Sequence, residues 1–163
     1  MQHLSAKEVI RLLGLEPLPA EGGYFRRSWS SVYGDSAGRD AGSAIYFLET
    51  AAPLGFSALH RLATDELYHF YVGDPIELHL IDAAGKHRMY LLGSDLAAGQ
   101  RPQILAPASV WQGSRLAPGG EWALLGTTMA PAFTAAEFEL ASREVLFSLF
   151  PSLTDIIASL TRA

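Results

Sequence analysis

The chain has 163 residues, 49% of them apolar, with 12 Lys and Arg against 17 Asp and Glu for a net charge of −5. That length suits one domain with a core of its own, and mild acidity with no basic stripe disfavours nucleic acid as a partner. The absence of cysteine excludes disulfides and thiolate metal sites and fits a reducing cytoplasm, while the lack of an 18-residue apolar run or apolar leader predicts a soluble, unexported protein with no membrane partner.

Ser5 followed by Glu8 is a capping-box pattern, and Val9, Ile10, Leu12 and Leu13 then recur near helical spacing until Gly14, so one short amphipathic helix is predicted at the N-terminus. From Tyr24 the pattern changes to short runs rich in aromatic and β-branched residues: Tyr24–Trp29, Ser43–Glu49, Ser57–Leu62, Leu67–Val72, Ile76–Ile81, Lys86–Leu92, Gln103–Ala106 and Trp122–Met129. Seven or eight such strands, evenly spaced by turns, predict an antiparallel sandwich or barrel. Asp82–Gly85 and Ala117–Gly120 read as hairpin connections, and Asp35–Gly42 as a small, mobile polar loop. After Pro131 the stretch 135–150 is helix-compatible and ends at Pro151, and a last helix is predicted around Leu153 to Leu160. The expectation is a single domain, with a barrel core over about 20–134 and helices over about 135–161 covering one face or edge.

The stretch from Gly55 to Gly73 has the outline of a metal-binding motif with a ligand missing. A cupin's first motif has two histidines two residues apart, then a glutamate and a closing glycine. Here His60, Glu66 and Gly73 can take the first His, the Glu and the Gly, but the second His position holds Leu62. In the second motif, Ser109 stands at the Gly and Gln112 where the remaining His would be. One imidazole, one carboxylate and one neutral amide fall short of a tight transition-metal site. No cofactor is expected, beyond a weakly bound divalent metal on His60, Glu66 and Gln112.

More widely, the chain resembles the cupins grouped as cupin_5 or DUF985. The resemblance rests on Glu21-Gly-Gly-Tyr-Phe-Arg-Arg-Ser, the His60–Pro75 segment with Asp65, Glu66, Tyr68, His69 and Gly73, Leu92-Gly-Ser, Pro102–Gly113 with Pro107, Trp111 and Gln112, and Ala130-Pro with Phe133. These span about Pro19 to Leu146. Two departures are Ala132, where the family has Gly, and Ser109, tolerable if that position needs no positive φ. The resemblance implies a mainly β, double-stranded β-helix (jelly roll) of the RmlC-like kind, a homodimer, and a cavity inside the barrel; it does not supply a reaction.

Strand alternation puts His60 and Leu62 on one face, and Glu66, Tyr68 and Phe70 on one face with His69 on the other. His60 and Glu66 converging in an apolar cavity make an acid/base pair, because burial raises a carboxylate's pKa while a nearby imidazolium lowers it. Gln112 would orient substrate and Trp111 would shape the cavity mouth. Tyr68, Phe70 and Glu21 complete the expected ligand contacts, although Glu21 read alone is equally an exposed turn residue. Arg26 and Arg27 alternate faces, so one points inward; Arg26 is taken as the inward one, against the ordinary alternative of a surface salt bridge. His3, His79 and His87 read as surface or interface residues. The leading expectation is a metal-independent isomerase, epimerase or lyase acting on a small polar or sugar-like metabolite, with a non-catalytic ligand-binding cupin and a metal-dependent cupin oxygenase as alternatives.

Overall fold

A computed structural model describes residues 4–34, 36 and 38–162; His3, Asp35 and Ala37 lie outside them. The first helix, α1 (Ala6–Leu13), begins at Ser5, whose side chain accepts from the Glu8 backbone while Glu8 reaches back to the Ser5 backbone, and it stops at Gly14 with φ 60°. Left-handed backbone there costs a glycine little, so both ends of α1 follow from local chemistry.

Eleven strands follow in the described residues: β1 (Glu16–Pro17), β2 (Tyr24–Ser30), β3 (Ser43–Thr50), β4 (Ser57–Leu62), β5 (Glu66–Gly73), β6 (Ile76–Ile81), β7 (His87–Leu92), β8 (Gln103–Ala106), β9 (Trp111–Leu116), β10 (Trp122–Met129) and β11 (Phe138–Leu140). They form a six-stranded sheet in the order β1-β2-β3-β10-β5-β8 and a five-stranded sheet in the order β11-β4-β9-β6-β7. Every ladder is antiparallel. The two sheets make a double-stranded β-helix of jelly-roll type, and between them Phe47, Tyr68, Leu78, Leu92, Ile104 and Leu125 belong to the central core. No helix among the described residues is long and apolar enough to cross a membrane.

Helices cover the outer faces. Val9 of α1 packs with Leu15 and Leu48 on the six-stranded sheet. Leu146 of α2 (Arg143–Leu149) and Ile157 of α3 (Thr154–Ser159) pack with Leu160 against Leu59, Ile81 and Trp111 of the five-stranded sheet.

Three expectations change. The stretch 135–150 is a 3-10 turn, Ala135–Glu137, then strand β11, and only then α2. Pairing of Phe138, Glu139 and Leu140 with Leu62, Arg61 and His60 overrides its helical periodicity, since strand ladders are decided by the neighbouring edge as much as by propensity. Ala117–Gly120 is a turn, with Gly120 N–H on the Ala117 carbonyl, but it joins β9 of one sheet to β10 of the other, so it is not a hairpin. Strand β9, unpredicted, is the central strand of the five. Around the Asp35–Gly42 loop, Gly34 bridges Asp40 and Arg39 pairs with Glu137 at 2.7 Å.

Candidate functional site

Backbone irregularity at one point of β4 prepares the site. The β4–β9 register slips between Ser57 and His60. In that gap the Ala58 N–H goes to the Glu21 carbonyl at 2.7 Å and the Leu59 N–H to the Leu160 carbonyl at 2.7 Å. A bulge re-aims the side chain that follows it, and here it leaves the Ala58 carbonyl free for the His60 ring, Nδ1 to O at 2.8 Å. A carbonyl only accepts, so Nδ1 carries the proton and Nε2 is the basic atom of the neutral ring.

Nε2 meets the Gln112 amide at 3.0 Å. The same amide nitrogen donates to Glu66 Oε2 at 2.5 Å. Both partners are acceptors, which fixes the amide's orientation, with its NH₂ group between imidazole and carboxylate. His60, Glu66 and Gln112 are all buried. Burial pushes the Glu66 pKa up, opposed by His60 whenever its ring is protonated and by hydrogen bonds from Thr127 and Gln112. The Tyr68 hydroxyl is pushed far above its ordinary value, first by burial and then by the surrounding Glu66, Glu21 and Glu49, so it stays a phenol and a donor.

His60, Glu66 and Tyr68 border a cavity of about 220 Å³ whose other walls are largely apolar, among them Leu18, Phe25, Ile45, Met129, Phe133 and Phe138. That is smaller than the roughly 300–1,000 Å³ of pockets for drug-sized molecules. Phe138, from the stretch expected to be helical, stacks on His60 with ring centroids 5.2 Å apart. Glu21 also lines the cavity and accepts from the Ser57 hydroxyl at 2.8 Å. It is held there because the next residue, Gly22, has φ 114° and room for nothing more: an added Cβ would lie 1.9 Å from the Phe56 carbonyl oxygen.

His60, Glu66, Tyr68 and Glu21 therefore share one cavity. The remaining candidates fall elsewhere. Gln112 sits behind His60 and Glu66 and does not line the cavity. Trp111 does not shape the mouth: it belongs to the cluster under the C-terminal helices, with the Arg61 guanidinium 4.6 Å from its ring centroid. Its neighbour Gln112 faces inward, and alternation sends Trp111 out. Phe70 packs against the central core and is not part of the cavity wall. Arg26 is on the outer face, 5.6 Å from the Tyr46 ring centroid, whereas Arg27 reaches the cavity. His69 lies on the outer side, as alternation predicts, between Thr128 and Gln103. His79 is buried, with Nδ1 3.0 Å from Nε2 of His87. Ser109 does adopt positive φ, 64°.

The principal residue the sequence reading missed is Glu49. It is fully buried, accepts from Ser114 Oγ at 2.8 Å and leaves Oε1 without a partner. Burial drives its pKa from 4.5 up to about 8, so at neutral pH it is a neutral acid. Alternation from Phe47 would have placed Glu49 on the inner face. Ser114 could not be found while β9 was unread.

The donor set does not fit a transition metal. His60 Nε2 and Glu66 Oε2, which would ligate it, both accept from Gln112, an amide in place of an imidazole. Among the described residues no group of three His, Cys, Asp or Glu is arranged to hold an ion.

The family model described as Cupin superfamily (DUF985) matches residues 7–141. A structural-genomics target protein from Shewanella oneidensis is similar over 98% of this chain and 99% of its own, with 35% identity and a TM-score of 0.91. A hypothetical protein from Leishmania major is similar over 98% and 100%, with 29% identity and a TM-score of 0.89. Bacillus subtilis oxalate decarboxylase is similar over 90% of this chain and 37% of its own, at 14% identity and a TM-score of 0.56, a likeness of fold alone. A search of curated proteins finds no match.

Proposed function

The chain belongs to the DUF985 family of the cupin superfamily, and on that premise we propose that it is a metal-independent isomerase, epimerase or lyase acting on a small polar metabolite in the barrel cavity. The observation that carries this reading is the junction of His60 and Glu66 through one amide at the edge of a mostly apolar cavity. His60 Nδ1 is fixed by Ala58, so Nε2 is the basic atom, and it serves as a base once a ligand displaces the Gln112 amide from it; Glu66, raised by burial, holds or releases a proton more readily near neutrality than an exposed carboxylate does. Together they can take a C–H proton next to a carbonyl and return it, while the Tyr68 phenol supplies a donor to the oxygen on which charge develops. Gln112 holds the pair in position until the ligand binds and then yields His60 Nε2.

The test is deuterium exchange. Incubating the protein in D₂O with a panel of small hydroxy-aldehydes, hydroxy-ketones and oxo-acids, followed by proton NMR, should reveal loss of an α-proton signal, and His60→Gln or Glu66→Gln should abolish it. No exchange across the panel would sink the acid/base reading. A second reading, a ligand-binding cupin without turnover, is favoured by the saturation of Nε2 and Oε2 by Gln112, since buried polar groups that satisfy one another can be purely structural. Its signature is saturable binding with no exchange.

Assembly as a homodimer belongs to the same proposal. It is supported by the open edge at β1 and by Trp29, 51% exposed on the neighbouring strand β2, because sheet edges are commonly paired or covered. Sedimentation equilibrium decides it.

A further inference from the structure

The acid/base chemistry does not use Arg27. Strand β2 alternates so that Phe25 and Arg27 face the cavity while Arg26 lies outside over Tyr46. Arg27 pairs across the six-stranded sheet with Ile45, Ile45 with Thr127, and Thr127 with Tyr68. One inward-facing row thus runs from the guanidinium to the phenol beside Glu66. At about 4.8 Å per strand, Arg27 and Thr127 are roughly 10 Å apart at the backbone, a span that a small molecule in a cavity of about 220 Å³ can bridge.

Other arginines are spoken for: Arg39 by Glu137, Arg61 by Glu139 and Arg115 by Glu77. Arg27 has no ion-pair, hydrogen-bond or aromatic partner among the described residues, and its cavity neighbours include Phe25, Ile45, Met129 and Phe133. At the mouth the guanidinium is exposed and held by no carboxylate among the described residues, so it is available to a ligand, and its planar fork matches a carboxylate in a two-point contact. The carboxylates already in the cavity, Glu21 and Glu66, weigh against a doubly charged phosphate, because repulsion grows with the ligand's charge.

We infer that Arg27 anchors the carboxylate of a small hydroxy- or oxo-acid, whose other end reaches His60 and Glu66. This deepens the acid/base proposal and rests on the cavity being the ligand site. It narrows the substrate class from polar metabolites in general to singly charged organic acids, and it gives the ligand a direction: carboxylate at the mouth, hydroxyl or carbonyl carbon inside.

The experiment compares lactate, glycerate and gluconate with their uncharged counterparts propane-1,2-diol, glycerol and glucitol, and with inorganic phosphate, by saturation-transfer NMR and calorimetry. At least one acid should bind, with its alcohol at least tenfold weaker. Arg27→Gln should weaken the acid by roughly tenfold to a hundredfold, the usual consequence of losing a charged hydrogen-bond pair, and Arg27→Lys should restore part of it. Circular dichroism and thermal melting of each variant should match the parent, Arg27 being an exposed cavity-mouth residue. Binding of no acid, equal binding of acids and alcohols, parental affinity in Arg27→Gln, or phosphate binding with the same dependence on Arg27 each overturns the assignment. His60→Gln separates the two proposals. Retained acid binding in a protein that exchanges no α-proton, even as the parent, ends the catalytic reading and leaves this one standing; α-proton exchange with unchanged KM in Arg27→Gln does the reverse.

Discussion

Glu49→Gln should change the pH dependence of stability in a calculable way. In the folded protein the Glu49 carboxyl titrates at about 8, against 4.5 when unperturbed, because it is fully buried. The native state therefore keeps a proton that the unfolded chain gives up above pH 4.5. Stability from this group is fully present below 4.5 and is lost as pH rises through about 8. At about 1.4 kcal/mol per pH unit, the whole loss is roughly 5 kcal/mol, and the part between pH 5 and 7.5 is about 3 kcal/mol. Glutamine is nearly isosteric and needs no proton. It can accept from Ser114 as Glu49 Oε2 does, at the cost of about 1–3 kcal/mol if an amide N–H goes unpartnered. That cost does not vary with pH, so the informative quantity is the difference between variant and parent. Urea unfolding at pH 5 and pH 7.5 should show the variant gaining about 3 kcal/mol on the parent across that interval. Glu66 titrates in the same direction but is common to both proteins and cancels. Parallel stability curves would refute the reasoning and mean that Glu49 is ionised in the folded state.

Ser109→Gly should raise stability by up to about 1 kcal/mol, seen as a higher Tm, because Ser109 holds φ 64° at a cost of about 1–3 kcal/mol, partly offset by glycine's greater freedom when unfolded; a lower Tm would contradict it. Trp111→Ala should cost about 3–5 kcal/mol in urea unfolding, since Trp111 belongs to the cluster with Leu146 and Ile157, while ligand affinity of the folded fraction stays unchanged; weakened binding without destabilisation would return Trp111 to the cavity. Treatment with a chelator should leave the Tm unchanged, because Gln112 already engages His60 Nε2 and Glu66 Oε2. A drop of several degrees, or stoichiometric metal in protein purified without a tag, would contradict the ligand argument.

The amino-acid sequence by itself determined α1, whose cap and stop are local, and eight of the strands, whose aromatic and β-branched runs carry their own period. It also carried the family resemblance, through the Glu21–Ser28, His60–Pro75, Leu92–Ser94, Pro102–Gly113 and Ala130–Phe133 segments taken together. Alternation told which residues share a face, and so paired His60 with Leu62 and Glu66 with Tyr68. Only the tertiary structure decided which face was the inner one: the β2–β3 register put Arg27 inside and Arg26 out, and the β9 ladder turned Trp111 toward the helices. It alone made a strand of Trp111–Leu116, where Gln112, Gly113 and Ser114 have little strand propensity. Gln112 and Ser114 are tolerated at the centre of a sheet because Glu66 and Glu49, from the facing sheet, accept their hydrogen bonds. Period and propensity are properties of neighbours along the chain. Facing and the satisfaction of buried polar groups depend on residues some 46 and 65 positions away, which are brought together only when the two sheets close.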